Sequence, residues 1–280
     1  MADSHPLTLT VLGSAGAYRT HSGSRASGYL VQHGGTTLVL DLGHGTYAPL
    51  AAHLGISALP QISAVAISHL HPDHWVDLAA LRHALVHGNK MGSDARSLAV
   101  ISPSGLASRL AAILDDRTPE EQAAGAQSPL QPFAFSTWRS DAALPPLGGG
   151  RVIRVGDLSL QSARVRHTGE SYAMRVALRD QPGLTYSGDV SHWEDLAALT
   201  RPGDTLLCEA AGGAAQWREG DTHVTANGAG RAAAAAGVAR LLLTHFGAEI
   251  DPAEAVRAAA TEFSGEIVAV REGDRFEIYF

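Results

Sequence analysis

The chain has 280 residues, 45 % hydrophobic and 18 % charged, a composition that excludes a disordered chain, a collagen and a coiled coil. Its formal charge of −7 weighs against a broad basic face laid along nucleic acid. Histidine accounts for 14 residues, one in twenty, which indicates that imidazole has a chemical use here.

Short apolar runs alternate with helical patterns through most of the first half, which predicts an α/β fold. The predicted strands are Leu7 to Leu12, Gly28 to Val31, Thr37 to Leu40, Val65 to Ser68 and Leu98 to Ile101. The predicted helices are Tyr47 to Leu54, Trp75 to His87 and Gly105 to Leu114.

The segment from Asp115 to Gly150 breaks this alternation with five prolines and a run of three glycines. It is predicted to be a loop or lid inserted into a single domain that spans residues 1–280. The strands predicted after it are Val152 to Val155, Leu158 to Val165, Tyr172 to Leu178, Leu184 to Tyr186, Leu206 to Cys208 and Leu241 to Leu243. The helices predicted there are Trp193 to Leu199, Ala226 to Ala236 and Pro252 to Phe263.

Cysteine content and hydropathy bear on where the protein resides. Cys208 is the only cysteine, so an intramolecular disulfide and a cysteine-based zinc finger are both excluded. The first residues lack a basic segment followed by an apolar one, and no apolar run approaches about 18 residues. We therefore expect a soluble, cytoplasmic protein without a membrane partner.

A histidine-rich motif, Ser68-His-Leu-His-Pro-Asp-His74, directly follows an apolar strand. Imidazole and carboxylate are the groups that hold zinc or another first-row divalent ion without sulfur. Residues two apart on extended backbone point the same way, so His69 and His71 can address one ion. After the turn at Pro72, Asp73 and His74 can address a second ion. The alternative interpretation is a surface loop that is merely rich in histidine.

The H-x-H-x-D-H pattern of this motif resembles the signature of the metallo-β-lactamase superfamily. Four further residues match that superfamily in order: Asp41 in Asp-Leu-Gly, His167 in Val-Arg-His-Thr, Asp189 in Tyr-Ser-Gly-Asp and His245 in Leu-Thr-His-Phe. Each stands at or just beyond the end of a predicted strand. The resemblance covers nearly the whole chain and implies a four-layer αβ/βα sandwich with a metal centre at one edge of its two sheets.

Carried over position by position, the resemblance implies two divalent metal ions, zinc or manganese. It places His69, His71 and His167 on one ion, Asp73, His74 and His245 on the other, and Asp189 between them. Such a pair of ions can activate a shared hydroxide at neutral pH. Asp73 is therefore expected to act in catalysis by holding one of the ions that bind this hydroxide. Asp41 is expected to orient a ligand imidazole through its other nitrogen. The alternative for Asp41 is a simple strand-end cap.

Two later residues favour phosphodiester chemistry. Glu209 in Leu-Cys-Glu-Ala and His223 in Thr-His-Val-Thr resemble the ribonuclease Z group and its smaller phosphodiesterase relatives. In that group the corresponding histidine, supported by the glutamate, faces the leaving group. A carboxylate-paired imidazole suits this role because the departing alkoxide needs a proton. The alternative is a buried ion pair and a residue that starts a helix.

A small phosphodiester such as a cyclic nucleotide is the favoured substrate, attacked by a metal-bound hydroxide while His223 assists the leaving group. A ribonuclease Z-like endonuclease that processes tRNA 3′ ends is the alternative. This alternative is disfavoured because ribonuclease Z grips tRNA with an arm that carries lysines. The segment from Asp115 to Gly150 has no lysine and only Arg117 and Arg139 as cations. Ala26 and Pro72 also depart from the nuclease pattern. An ester, thioester or lactone hydrolase and a binding protein without turnover are further alternatives.

Substrate contacts are predicted at a few cations and one aromatic residue. Arg25, Arg166 or Arg175 can hold a phosphate because a guanidinium matches its oxygens in a fork. Trp138, in the predicted lid, can stack on a base. The alternatives are solvated arginines and a tryptophan that anchors its loop. The resemblance also implies a homodimer.

Overall fold

The computed structural model describes residues 5–17, 23–88, 97–125, 128–139 and 143–279. These residues form two mixed sheets of seven strands each. The first sheet has the order β14-β1-β2-β3-β4-β5-β6 and contains β1 (Leu7–Gly13), β2 (Gly28–His33), β3 (Thr36–Leu42), β4 (Ala64–Ala66), β5 (Leu98–Ser102), β6 (Phe133–Thr137) and β14 (Arg275–Ile278). The second has the order β13-β12-β11-β10-β9-β8-β7 and contains β7 (Val152–Val155), β8 (Leu158–Val165), β9 (Ser171–Leu178), β10 (Leu184–Tyr186), β11 (Thr205–Glu209), β12 (Arg240–Thr244) and β13 (Glu266–Ala269).

Helices connect these strands and cover the outer faces of the sheets. The α-helices are α1 (Tyr47–Leu54), α2 (Leu78–His83), α3 (Leu106–Leu114), α4 (Pro119–Ala123), α5 (Ala226–Ala236) and α6 (Pro252–Ala259). Three 3₁₀ segments lie at Ile56–Gln61, Pro72–His74 and Trp193–Ala198, and a π-helical turn lies at Ala84–Gly88. Among the described residues, no helix combines the length and apolar character needed to cross a membrane.

Three layers of apolar side chains hold the four layers of secondary structure together. Alternate residues of one strand point to opposite faces of its sheet. Accordingly, Leu38 and Leu40 of β3 lie in the core between the sheets, while Val39 packs outward under the helices. In β11, Leu207 points into that same central core and Leu206 packs beneath α5 and α6. The predicted four-layer αβ/βα sandwich is therefore confirmed.

Several predicted elements differ from those observed. The helix predicted from Trp75 begins only at Leu78 and continues beyond His83 as the π-helical turn. The helix predicted from Trp193 to Leu199 is a 3₁₀ segment. The segment predicted as a loop from Asp115 to Gly150 contains α4 and β6, and β6 pairs in parallel with β5. Residues 126–127 and 140–142 of that segment lie outside the described residues.

The strand directions gather the candidate site at one edge. Strands β10, β11 and β12 run parallel, and β8 has the same direction because it is separated from β10 by the antiparallel β9. In the first sheet, β3 and β4 also run parallel. Loops that follow the carboxyl ends of parallel strands meet at one edge of a sheet, where α/β proteins commonly bind ligands. The candidate metal ligands, Asp41 and Glu209 all stand at the end of, or within a few residues after, such strands.

Candidate metal centre

One cluster brings together three imidazoles and a carboxylate: those of His69, His71, His167 and Asp189, with all four ligand atoms within 4.8 Å of one another. Nε2 of His69 and Nε2 of His167 each lie 3.6 Å from Oδ2 of Asp189. Nδ1 of His71 lies 3.4 Å from Nε2 of His167. Ligand atoms bound at about 2.1 Å around a tetrahedral ion lie about 3.4 Å apart, so the cluster has the spacing of a single metal site.

A second cluster adjoins the first and contains Asp73, His74 and His245. Nε2 of His74 lies 3.6 Å from Oδ2 of Asp73 and 3.4 Å from Oδ1 of Asp189. Nε2 of His245 lies 3.4 Å from Oδ2 of Asp189. Asp189 thus stands between the two clusters and presents an oxygen to each, which is the position expected of a bridging carboxylate.

Buried polar atoms without partners test whether a cation fits these clusters. Nε2 of His69, Nε2 of His74 and Oδ1 of Asp189 are buried and make no hydrogen bond within the described structure. A buried polar atom without a partner is costly, and such atoms are uncommon in folded proteins. All three face the gap between the clusters, and nitrogen and carboxylate oxygen are the donors that divalent transition metals take. The donor set therefore fits metal ions.

The outward nitrogen of each candidate ligand histidine is held by a hydrogen-bonding partner. Nδ1 of His74 lies 2.7 Å from Oδ2 of Asp41, which is the contact predicted for that aspartate. The partners that the sequence did not predict are Ser27 for His245, the Thr222 carbonyl for His167, Thr168 for His71 and Ser68 for His69. Each contact fixes which ring nitrogen faces the centre, as outer partners of metal-bound imidazoles do.

Asp41 is fully buried and holds several groups of the site together. Its carboxylate accepts hydrogen bonds from the backbone N–H and the hydroxyl of Ser68 and from the hydroxyl of Tyr186, each at 2.7 Å. Asp41 and His245 both have left-handed backbone, with φ of 54° and 57°. This conformation is strained for residues other than glycine and is found preferentially at functional sites.

Charge and burial set the protonation of the cluster. Burial lowers the pKa of His69 well below its usual range, and burial with the neighbouring His167 lowers the pKa of His71. Burial raises the pKa of Asp189, but the surrounding imidazoles of His245, His74 and His69 outweigh it and hold that pKa well below the usual range. Burial lowers the pKa of His74, but the carboxylates of Asp189 and Asp41 outweigh it and raise that pKa well above the usual range, so a metal ion would replace a proton on this ring.

Glu209 and His223 form a pair beside the first cluster. Glu209 is fully buried, and its Oε1 accepts from the backbone N–H of Val190 at 2.7 Å. Its Oε2 lies 2.9 Å from Nδ1 of His223, which in turn lies 3.9 Å from Oδ2 of Asp189. Burial lowers the pKa of His223, but the carboxylate of Glu209 outweighs burial and raises that pKa to about 9. With its side chain 31 % exposed, His223 can present a proton at the mouth of the site.

The structure corrects two of the predicted substrate contacts. Trp138 is fully buried, and its indole N–H donates to the Ile67 carbonyl at 2.7 Å, so it anchors its loop and offers no face to a base. Arg175 is 2 % exposed and binds both oxygens of Asp204 at 2.8 Å, so its guanidinium is already committed. Burial of this kind cannot be read from an arginine in a strand pattern.

The other two cations lie nearer the surface. Arg166 is exposed and binds Asp195 through Nη2 at 2.6 Å, so it too has a partner. Arg25 is half-buried beside Gly45, in the loop that also carries Ser27. Its contact with substrate stays a prediction.

Comparisons with known proteins agree with this geometry. Residues 19–246 match the family model of the β-lactamase superfamily domain. An uncharacterised protein of Mycobacterium leprae is 31 % identical over 283 residues, covering 96 % of this chain and 88 % of that protein. Ribonuclease Z of Kineococcus radiotolerans is 28 % identical and covers 93 % of this chain and 91 % of the nuclease. The crystal structure of the metallo-β-lactamase fold protein YhfI from Bacillus subtilis, 24 % identical, matches with a TM-score of 0.79 over 97 % of this chain and 99 % of its own.

Proposed function

The chain belongs to the β-lactamase superfamily, in its ribonuclease Z-like group of metal-dependent hydrolases, and on this basis we propose that it hydrolyses a small phosphodiester such as a cyclic nucleotide. The active site is the pair of clusters around Asp189, and His223 assists departure of the leaving group. The same fold serves many reactions, so the proposal depends on the site and not on the fold.

The observation that carries the proposal is the contact of 2.9 Å between Glu209 and His223 beside the bridging carboxylate. Phosphodiester hydrolysis expels an alkoxide, which departs readily only if it receives a proton or meets a positive charge. A histidine whose pKa is raised to about 9 is protonated at neutral pH, so it can supply the proton or the positive charge. Hydrolysis of an activated ester or lactone would leave this pair without a role.

Each residue of the site has a distinct task in this reaction. His69, His71 and His167 would hold one cation, Asp73, His74 and His245 the other, and Asp189 both. When bound, such a pair supplies a nucleophile from water at neutral pH and neutralises charge on the phosphoryl oxygens. Asp41 keeps His74 oriented, and Glu209 keeps His223 protonated and aimed at the leaving oxygen.

A ribonuclease Z-like activity on tRNA is the second candidate, because the relative from Kineococcus radiotolerans is a ribonuclease Z. Gripping a long polyanion takes clustered and unpaired cations. The net charge here is −7, and the two cations of the segment 115–150, Arg117 and Arg139, are paired with Asp115 and Glu170. A small substrate suits this charge distribution better.

A panel of substrates tests the proposal. Purified protein supplied with zinc or manganese is assayed with bis-p-nitrophenyl phosphate, 3′,5′- and 2′,3′-cyclic nucleotides and a precursor tRNA. We expect turnover of the small phosphodiesters, lost in Asp73→Ala and kept in the matched control Asp180→Ala, whose carboxylate is exposed in a turn. Cleavage of the precursor tRNA alone would support the second candidate, and turnover of neither class would overturn both.

A further inference from the structure

A cavity of about 500 Å³ lies next to the metal centre and is not lined by any of its candidate ligands. Its wall includes Ser191, two residues beyond Asp189, and Val224, the residue after His223. The segments that present the bridging carboxylate and the leaving-group histidine to the centre therefore form part of this wall. Its volume is in the range of cavities that hold one small organic group.

Aromatic rings dominate one side of the cavity. Trp217 is 39 % exposed, and its ring meets that of His192 edge to face with 4.9 Å between centroids. Trp193 lines the same cavity and is half-buried. A partly exposed indole face is a favourable surface for stacking a planar base.

Three polar groups of the wall offer hydrogen-bond acceptors, beside the side-chain amide of Gln216, which offers both a donor and an acceptor. The Ser191 hydroxyl donates to the Arg166 carbonyl and therefore accepts from Nδ1 of His192 at 2.8 Å, which leaves Nε2 as the ring nitrogen that can accept. The side-chain amide of Asn227 uses its nitrogen to donate to Ala258 and Thr261, which leaves its oxygen. The carboxylate of Glu194 is a third acceptor. A ligand that bears hydrogen-bond donors is the complement.

The charges of the wall exclude a phosphate from this cavity. Glu194 and Glu262 contribute two carboxylates, and the guanidinium of Arg231 is held by Glu262 at 3.0 Å. Among the described residues of the wall, a phosphate would meet two carboxylates and one cation that already pairs with Glu262, so the metal centre is the more favourable place for the phosphodiester. A neutral, planar group with donors suits both the rings and the charges.

We propose that this cavity is the subsite for the nucleobase of the substrate, and that it favours bases with an exocyclic amino group, such as adenine, guanine and cytosine. The ligand class rests on the proposed phosphodiesterase function. The base stacks on Trp217, and its amino group donates to the acceptors of the wall, while the phosphodiester lies at the neighbouring centre.

Binding of nucleosides, which contain no phosphodiester, tests the subsite without turnover. Adenosine, cytidine and uridine are titrated calorimetrically into the full-length, metal-loaded protein, and the indole N–H signals of its four tryptophans are followed by NMR. We expect adenosine and cytidine to bind more tightly than uridine and to shift the signals of Trp217 and Trp193. The signals of the buried Trp75 and Trp138 should stay in place.

Variants of exposed residues make the test specific. Trp217→Ala should weaken adenosine binding by about tenfold or more, as expected for loss of a stacking face, and Glu194→Ala should reduce the preference over uridine. Ile113→Ala, which removes an exposed apolar side chain from α3, is the control and should bind as the parent does. Equal adenosine affinity in Trp217→Ala and the parent, or no saturable binding to the parent, would overturn the subsite.

The two proposals can fail separately. Phosphodiesterase activity without nucleoside binding removes the subsite and leaves the proposed function in place. Nucleoside binding at Trp217 without phosphodiesterase activity leaves the subsite and removes the proposed reaction.

Discussion

Oδ2 of Asp41 lies 2.7 Å from Nδ1 of His74, and the opposite nitrogen of that ring is buried without a partner. In the neutral, metal-binding form of the ring, the carboxylate holds the proton on Nδ1 and leaves the lone pair of Nε2 directed toward Asp73 and Asp189. A ring fixed in this way meets a cation without first changing its tautomer.

Asp41→Asn should weaken metal binding by about 10- to 100-fold, the usual loss when an outer partner of a ligating histidine is changed. Asparagine tolerates the left-handed backbone at this position, so the substitution changes the charge and the acceptor with little added strain. Zinc affinity is measured by competition with a chromophoric chelator. Asp77→Asn, which alters a half-buried carboxylate bonded to the Tyr47 N–H, is the control, and equal affinities in the two variants would contradict the role of Asp41.

His223→Ala should keep the metal content and lower turnover by about 10²- to 10⁴-fold, the usual contribution of a general acid. The loss should grow as the leaving group becomes more basic, because a poor leaving group depends most on the proton. Rates for a series of aryl phosphodiesters with graded leaving-group acidity measure this dependence. A uniform loss across the series would show that His223 does not protonate the leaving group.

The pKa of His223 gives a prediction on pH for the metal-free protein. Glu209 raises that pKa from 6.5 to about 9 against the effect of burial, so the folded protein holds this proton more tightly than the unfolded chain. The pair should therefore stabilise the fold fully below pH about 6.5, and the contribution should disappear as pH rises through about 9. NMR titration of the His223 ring should give a midpoint near the higher value in the parent.

Glu209→Gln is the matched variant for this titration. It keeps an oxygen that can accept from the Val190 N–H but removes the charge that raises the pKa. The midpoint of His223 should then fall below that of the parent, and the decline in stability should move to lower pH with it. An unchanged midpoint would mean that Glu209 does not control this proton.

The candidate ligands could be predicted because their motifs follow apolar runs and resemble the metallo-β-lactamase signature in the same order along the chain. Apart from Asp41, the outer partners that lie far along the chain could not be predicted, since Ser27 and His245 are separated by 218 residues and His167 and Thr222 by 55. Which side chains meet across such distances is decided by the register and twist of two sheets. For the same reason the sequence did not show that Arg175 is buried against Asp204, which lies 29 residues away.

The strands missed by prediction are those with weak alternation. β13 is a strand of four residues at the edge of its sheet. β14 also has four residues, and its charged and exposed Arg275 and Glu277 keep it from reading as an apolar run. β14 completes the first sheet only by pairing with β1, at the opposite end of the chain. The edge strand β6 lies between prolines that favour a loop. Short edge strands form because a neighbour offers unpaired backbone, and the neighbour is not evident from the segment itself.

Gly43 shows how closely the loops of the site pack, and Gly43→Ala should disturb both stability and metal binding. A Cβ at this position would lie 1.8 Å from the carbonyl oxygen of Asp73. Gly43 cannot retreat easily, because its N–H donates to the Ser27 carbonyl and its carbonyl accepts from Thr46. The backbone of Asp73 must therefore shift and carry Asp73 and His74 away from their present positions.

We expect Gly43→Ala to lose about 1–3 kcal/mol of unfolding free energy, as overpacking typically costs, together with zinc affinity. Denaturant titration and chelator competition measure the two effects. Gly35→Ala is the matched control, since a Cβ there meets nothing within 4 Å and its turn lies between β2 and β3. Loss of stability with unchanged zinc affinity in Gly43→Ala would mean that the Asp73 loop adapts without moving its side chains, and that the fit of Gly43 against Asp73 does not position the ligands.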